Sequence, residues 1–311
     1  MLKDIINAVI ITILIFAVAV FFPIIGFFCA LFIPLPIFFY RSKLGRQTGA
    51  IIAVLAFTVM LIIIGRVSID VVFFGGLILI GFVLGELVRF NFSIEKTVAY
   101  ACGSVLLTGF VGLLVLGSVS SKGIYQLLSE YVAHNLELSL AIYQNMGMSE
   151  ENIQLLASSL DKIQYVLVRI IPSLVTASTL LVVWSNLLMA RPLLAKRALF
   201  YPDFGPLNLW KSPDYLVWGV IACGLILFLP STGFKILGIN GLLIFSTIYF
   251  FQGIAIVSFF FERKGFPRLL RFFLYSLIAL QQILLLAVVG LGFFDMWLNF
   301  RKLGKQNSLG G

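Results

Sequence analysis

The chain's 22 Lys and Arg and 13 Asp and Glu are sparse for 311 residues. A charge inside an apolar run is therefore the first place to look for chemistry, because at membrane depth it is costly and marks function by default. Glu86 and Arg89 are three apart and share a helix face. They read either as an intramembrane pair lining a cavity or as an ordinary ion pair at a helix end. Arg169, with Pro172 close by, either meets an anionic group or a carboxylate, or snorkels to the interface. Asp295 pairs with Arg301 or a neighbouring helix, or stands as a lone polar group on an inner face. Gln281 and Gln282 fall deep in the last apolar run, where their amides need helix–helix hydrogen bonds. Asn186 and Gln252 read the same way.

The absent combinations narrow the chemistry. His134 is the one histidine, so imidazole-based catalysis or metal binding has no partners. Cys29, Cys102 and Cys223 are odd in number and scattered through apolar stretches, against a disulfide framework, and no Cys/His cluster suits zinc. No nucleophile–base pair, phosphate-cradling glycine loop or dinucleotide fingerprint is present. The expectation is no enzyme, no cofactor and no metal. Energised transport would need an ion gradient or a separate ATPase partner.

The elements that must carry these residues follow from composition. Residues are 61% hydrophobic and 11% charged, with a mean hydropathy of +1.09. Soluble domains carry about 25% charged residues, so this chain uses lipid as much of its solvent. The fold expected is all-α, a polytopic transmembrane helix bundle of eight or nine spans. The runs fall at 5–22, from Pro23 to Tyr40, and at 50–65, 71–90 and 98–116, each near the ~20 residues of one crossing. Ala17-Val18-Ala19 resembles a leader cleavage site, but the chain stays apolar beyond it, so the first helix is expected to be retained. Later spans are expected to about residue 189 and at 215–229, 239–261 and 272–298. This divides the chain into a five-helix region (1–117), an acidic amphipathic extracytoplasmic segment (118–162) and a C-terminal membrane region of about four helices (163–311).

In the middle segment, Lys122 and Lys162 face Glu130, Glu137, Glu150, Glu151 and Asp161, a net charge of −3. Ile124, Leu127, Leu128, Tyr131 and Val132 recur at helical spacing, as on an amphipathic helix. Ser149 before Glu150 and Glu151 marks a helix start. Basic loops at 41–46, 191–211 and 262–271 place those turns, and the N-terminus, in the cytoplasm. Nine spans then put the basic tail of Arg301, Lys302 and Lys305 outside, against the same rule. Gly81-x-x-x-Gly85 and Gly103, Gly109, Gly112 and Gly117 allow close helix packing, within the chain or against a second copy. The net charge of +9 forms no aromatic-interleaved face, so nucleic acid is not an expected partner. The partners expected are the lipid bilayer and a membrane or cytoplasmic protein.

Four ordered patterns resemble the uncharacterised YybS-like family of bacterial polytopic membrane proteins. They are Pro34-Leu35-Pro36 with Arg41 and Gly45; Gly147 to Ile153 leading through Asp161 to Arg169 and Pro172; Phe204, Leu207, Trp210 and Pro213; and Gly292-Phe293-Phe294-Asp295-Met296-Trp297 before Phe300-Arg301-Lys302. The resemblance implies the architecture and a bacterial cytoplasmic membrane, and carries no activity. The first six helices are also similar, at fold level, to the substrate-binding subunits of energy-coupling-factor vitamin importers, which usually have six helices and lack the acidic segment.

Three functions follow in order of support. The first is a transport or substrate-binding membrane subunit, from the span number, the prolines and the few buried charges. The second is a non-transporting assembly or scaffold protein of the cell envelope, from the acidic outer segment and basic loops. The third, least supported, is an enzyme acting on lipid.

Overall fold

A segment in hydrocarbon must pair its own backbone N–H and C=O groups, and a helix does so within one run of chain. The computed structural model describes residues 2–301, and among them it is helical with no strand. Lys302 and Lys305 lie outside the described residues. Six helices are long and apolar enough to cross a membrane, or seven if one bent pair is taken as a span. The chain groups into two compact units, Met1–Ile171 with Ser178–Asp203 and Pro172–Ala177 with Phe204–Gly311. The acidic segment, set apart at 118–162 by composition, belongs to the first.

In the first unit, α1 (Leu2–Phe21) is followed by α2 (Pro23–Ala30) and α3 (Pro34–Leu44). Pro23 and Pro34 each open a helix, where the missing N–H costs nothing. The α2–α3 leg runs back beside α1, because Lys43 Nζ near its end meets Asp4 near the start of α1 at 2.8 Å. Next come α4 (Arg46–Ile64), α5 (Ile69–Leu87) with a 3-10 turn at Val88–Phe90, and α6 (Ile94–Ser120). Asp4, residues 41–46 and residues 86–89 thus share one end, the basic end.

At the opposite end α7 (Ile124–Asn145) is tied down by Tyr131, whose hydroxyl donates to Asp70 at 2.8 Å. Burial and then that bond push the Tyr131 hydroxyl up to about 12, so the donor keeps its proton through the physiological range. The Glu130 carboxyl is held below its ordinary value by Lys122 and Gln126.

α8 (Glu150–Ala195) has 46 residues, about 69 Å at 1.5 Å per residue, against a hydrocarbon core of about 30 Å. Its N-terminal half therefore projects beyond the bilayer. Ser149 occupies the N-cap position as expected, but its side chain makes no capping bond. Gln164 Nε2 donates to the Ser129 carbonyl at 3.1 Å and hydroxyl at 2.8 Å, holding α8 to α7.

In the second unit, α9 (Leu216–Ile226) and α10 (Thr232–Arg263) form an antiparallel pair. α11 (Arg268–Leu280) and α12 (Gln282–Leu298) follow, bent by 101° to one another. α12 crosses α10 at Gly253 and Gly292, where a Cβ on Gly292 would meet the Tyr249 carbonyl and lie 2.8 Å from the Gly253 nitrogen. Asn208 fixes the direction of travel. Its Nδ2 donates to Glu262 at the end of α10 at 2.6 Å, and its carbonyl accepts from Arg301, just past α12, at 3.0 Å. The C-terminal ends of α10 and α12 therefore lie together, and the α11–α12 pair leaves and returns at one end.

Three expectations change here. The run at 272–298 is not one straight helix. Gln281 and Gln282 sit exposed at its bend rather than bonded between helices. The run at 215–229 holds an 11-residue helix, about 17 Å long and too short to cross alone.

Two labelling outcomes follow in a background with Cys29, Cys102 and Cys223 replaced by Ser. A cysteine at Leu155 and one at Lys43 should react with an impermeant maleimide from opposite sides of the membrane. Cysteines at Lys264 and Asn299 should react from the same side; opposite-side labelling would make α11–α12 a single crossing.

Candidate functional site

Two clusters of charge survive burial, one in each unit. In the first unit Arg41 lies on the last turn of α3, where a cation suits the negative end of the helix dipole. The residue is 1% exposed. Its stem fits because Gly49 of α4 and Gly85 of α5 lack a Cβ; one added at Gly49 would strike Arg41 Cγ and Cβ, and one at Gly85 would strike Cδ. Glu86 Oε1 accepts from Arg41 Nε at 2.9 Å and lies 2.5 Å from Nη2. The second contact is off the line of the N–H bonds, so it is an attraction of charges rather than a directed bond. Buried Nη2 accordingly has no hydrogen-bond partner among the described residues. Arg46 Nε stands 3.8 Å from the same oxygen.

Beside this pair opens a cleft of about 610 Å³, walled by Arg41, Lys43, Gly45, Val88, Arg89 and Phe200. Its volume lies within the range of ordinary ligand sites. Tyr201 holds the Phe200 wall in place by donating to the Leu187 carbonyl at 2.8 Å, and burial raises its hydroxyl pKa. Around the cleft, Arg41, Lys43, Arg46 and Arg89 meet Asp4 and Glu86. Two positive charges remain in excess.

In the second unit the charges close on themselves. Arg301 Nη2 donates to Asp295 Oδ2 at 2.8 Å, with both side chains almost wholly buried. Arg301 Nη1 donates to the carbonyls of Asn208 and Trp210 at 3.0 Å each. Gln252 Nε2 donates to Asp295 Oδ2 at 3.2 Å, while its Oε1 accepts from the Ser212 N–H at 3.1 Å and the Ser212 hydroxyl at 2.5 Å. The Phe300 N–H donates to Asp295 Oδ1 at 3.0 Å. The network serves backbone groups of segment 208–212, where a 3-10 turn at Leu207–Leu209 leaves the Asn208 and Trp210 carbonyls and the Ser212 N–H to side chains.

Of the residues singled out by sequence, Glu86 is half-buried and pairs with Arg41 and Arg46 rather than with Arg89. Arg89 is exposed and faces the cleft. Asp295 meets both expected partners, Arg301 and a neighbouring helix through Gln252. Arg169 lies 3.3 Å over the Tyr165 ring and 5.8 Å from the Tyr125 ring, and donates to the Tyr165 carbonyl at 2.9 Å. Asn186 bonds between segments as expected, reaching the Leu31 carbonyl at 2.7 Å. Arg41 and Ser212 were missed. Arg41 read as one cation of an orienting loop, although its place directly after an apolar run, with Glu86 at the matching depth two helices on, is a usable signal. Ser212 carried none.

The buried pair predicts a non-additive mutant cycle. Asp295→Ala alone should cost about 3–5 kcal/mol, because it leaves the Arg301 charge buried and uncompensated. Asp295→Leu with Arg301→Leu should cost less than the sum of the single changes, as measured by unfolding in mixed micelles. Additive losses would show that the pair is not coupled.

The comparisons with known proteins agree with this architecture. The family described as "Predicted membrane protein (DUF2232)" matches residues 10–296. The chain is 23% identical over 298 residues to the "Uncharacterized protein YybS" of Bacillus subtilis (strain 168), covering 91% of each chain. No solved structure matches. With nearly its whole length matched, the chain belongs to the DUF2232 family of predicted membrane proteins.

Proposed function

We propose that this protein is a ligand-binding membrane subunit, for transport or substrate capture, in a bacterial cytoplasmic membrane with its N-terminus in the cytoplasm. One observation supports the reading: the chain interrupts helices within its apolar runs, and at one such break a side chain serves the opened backbone. The α2–α3 leg is interrupted at residues 31–33, and Asn186 bonds the freed Leu31 carbonyl. The α11–α12 pair bends by 101° with Gln281 and Gln282 exposed at the break. Discontinuous helices of this kind place polar groups where transporters bind their cargo. Basic residues at 41–46 and 191–197 support the orientation. The reading assigns no catalysis, and energy for movement would come from an ion gradient or a separate ATPase.

A second reading, an envelope assembly protein, is favoured by the projecting α7 and α8, which leave Leu138, Ile142, Met146 and Leu155 exposed beyond the bilayer. Thermal unfolding of the detergent-purified chain against ions, vitamins and lipids separates the two. A ligand at a hundred times its Kd should stabilise the chain by about 2.7 kcal/mol. A flat response with a stoichiometric protein partner retained through purification would favour the assembly reading.

A further inference from the structure

The cleft at the basic end of the first unit has features that orienting a helix does not require. Topology is served by cations that stay exposed, as Arg46 and Arg89 do. Arg41 instead is buried to 1% exposure and lines the cleft. The cleft wall also contains Gly45, the residue before the start of α4. Its N-cap is Gly45, which has φ 89° and offers no side chain to the free N–H groups of the first turn. No acidic residue lies in that turn; Arg46 does. A cation at the positive end of a helix dipole is unfavourable, and Glu86, already shared by Arg41 and Arg46, is among the described residues the one carboxylate within ion-pairing distance of Arg46. The surplus of positive charge and the three cations on the cleft wall, Arg41, Lys43 and Arg89, call for an anion with several acceptor oxygens.

We propose that this cleft binds a phosphate group, held by Arg41, Lys43 and Arg89, with Glu86 fixing the guanidinium of Arg41. The phosphate belongs either to the headgroup of an anionic lipid or to a soluble phosphate monoester; the recognition chemistry is the same. A fork of guanidinium donors suits the planar faces of a phosphate better than ammonium groups alone. The inference needs nothing to be moved across the membrane. If the cleft binds no phosphate while another ligand stabilises the chain, this assignment fails and the reading as a ligand-binding subunit stands.

The test uses the full chain. Glycerol 3-phosphate is titrated in delipidated detergent by calorimetry, and phosphatidic acid is compared with phosphatidylcholine in nanodiscs by native mass spectrometry. Saturable binding of glycerol 3-phosphate identifies a soluble ester; selective retention of phosphatidic acid alone identifies a lipid headgroup. In either arm Lys43→Gln with Arg89→Gln, both surface changes, should weaken binding by about tenfold or more, the loss expected on removing charge-assisted bonds. Arg41→Lys should weaken it while circular dichroism and Tm report an intact fold. Arg263→Gln with Lys264→Gln, which removes equal charge from the second unit, should leave it unchanged. No saturable binding of either probe, or an equal loss in the Arg263/Lys264 variant, overturns the proposal.

Discussion

Hydrocarbon offers no partner to an exposed N–H or C=O group, and an unpaired one there costs several kcal/mol. At several places where this chain leaves or weakens its helices, a side chain supplies the missing bond. Asn186 does so for the Leu31 carbonyl, and Asn240 accepts from the Ser173 N–H beside Pro172. Gln252 takes the Ser212 N–H, and Arg301 serves the carbonyls of Asn208 and Trp210. Each sits opposite an interruption of the helical ladder. The amides scattered through the apolar runs are in this sense repairs to the backbone, and the breaks come first in the causal order.

The same cost governs the charges. A buried ion pair recovers its desolvation penalty only when further hydrogen bonds use up its remaining donors and acceptors. Asp295 and Arg301 nearly meet that condition: both Asp295 oxygens accept, and both terminal Arg301 nitrogens donate. The arrangement locks the end of α12 and segment 208–212 into one structure and leaves little for a ligand. Arg41, held by Glu86, stands instead on the wall of an open cleft. Two ion pairs alike in sequence composition thus differ in what they face, and that difference separates a structural lock from a site.

The legibility of the chain follows range. The long apolar runs, the interruption at Pro23 and the helix beginning after Ser149 were readable, because each depends on residues within one or two turns. The resemblance carried the helical architecture and the family. The bend at Gln281 was not readable: Leu280-Gln281-Gln282-Ile283 holds neither proline nor glycine, and the pair folds back through bonds from Arg301 to segment 208–212, some 90 positions away. The 11-residue α9 was overestimated for a related reason, since the first part of its leg beside α10 is irregular chain rather than helix. Glu86 drew its nearest cation in sequence, Arg89, whereas the partner that burial selected was Arg41, 45 residues back.

Orientation and binding draw on the same cations at the basic end, and the energetics divide them. The positive-inside bias acts on charge near the end of a span and is indifferent to whether the side chain is exposed; an exposed lysine achieves it at almost no cost in desolvation. Burying Arg41 carries a penalty that orientation never repays, so the arrangement must be supported by something orientation does not use. Part of that support is Glu86, and part is the absence of Cβ atoms at Gly49 and Gly85, which gives the stem its passage. What those contacts leave over is a surplus of positive charge along the wall of a cleft, and the most direct physical complement to it is an oxyanion.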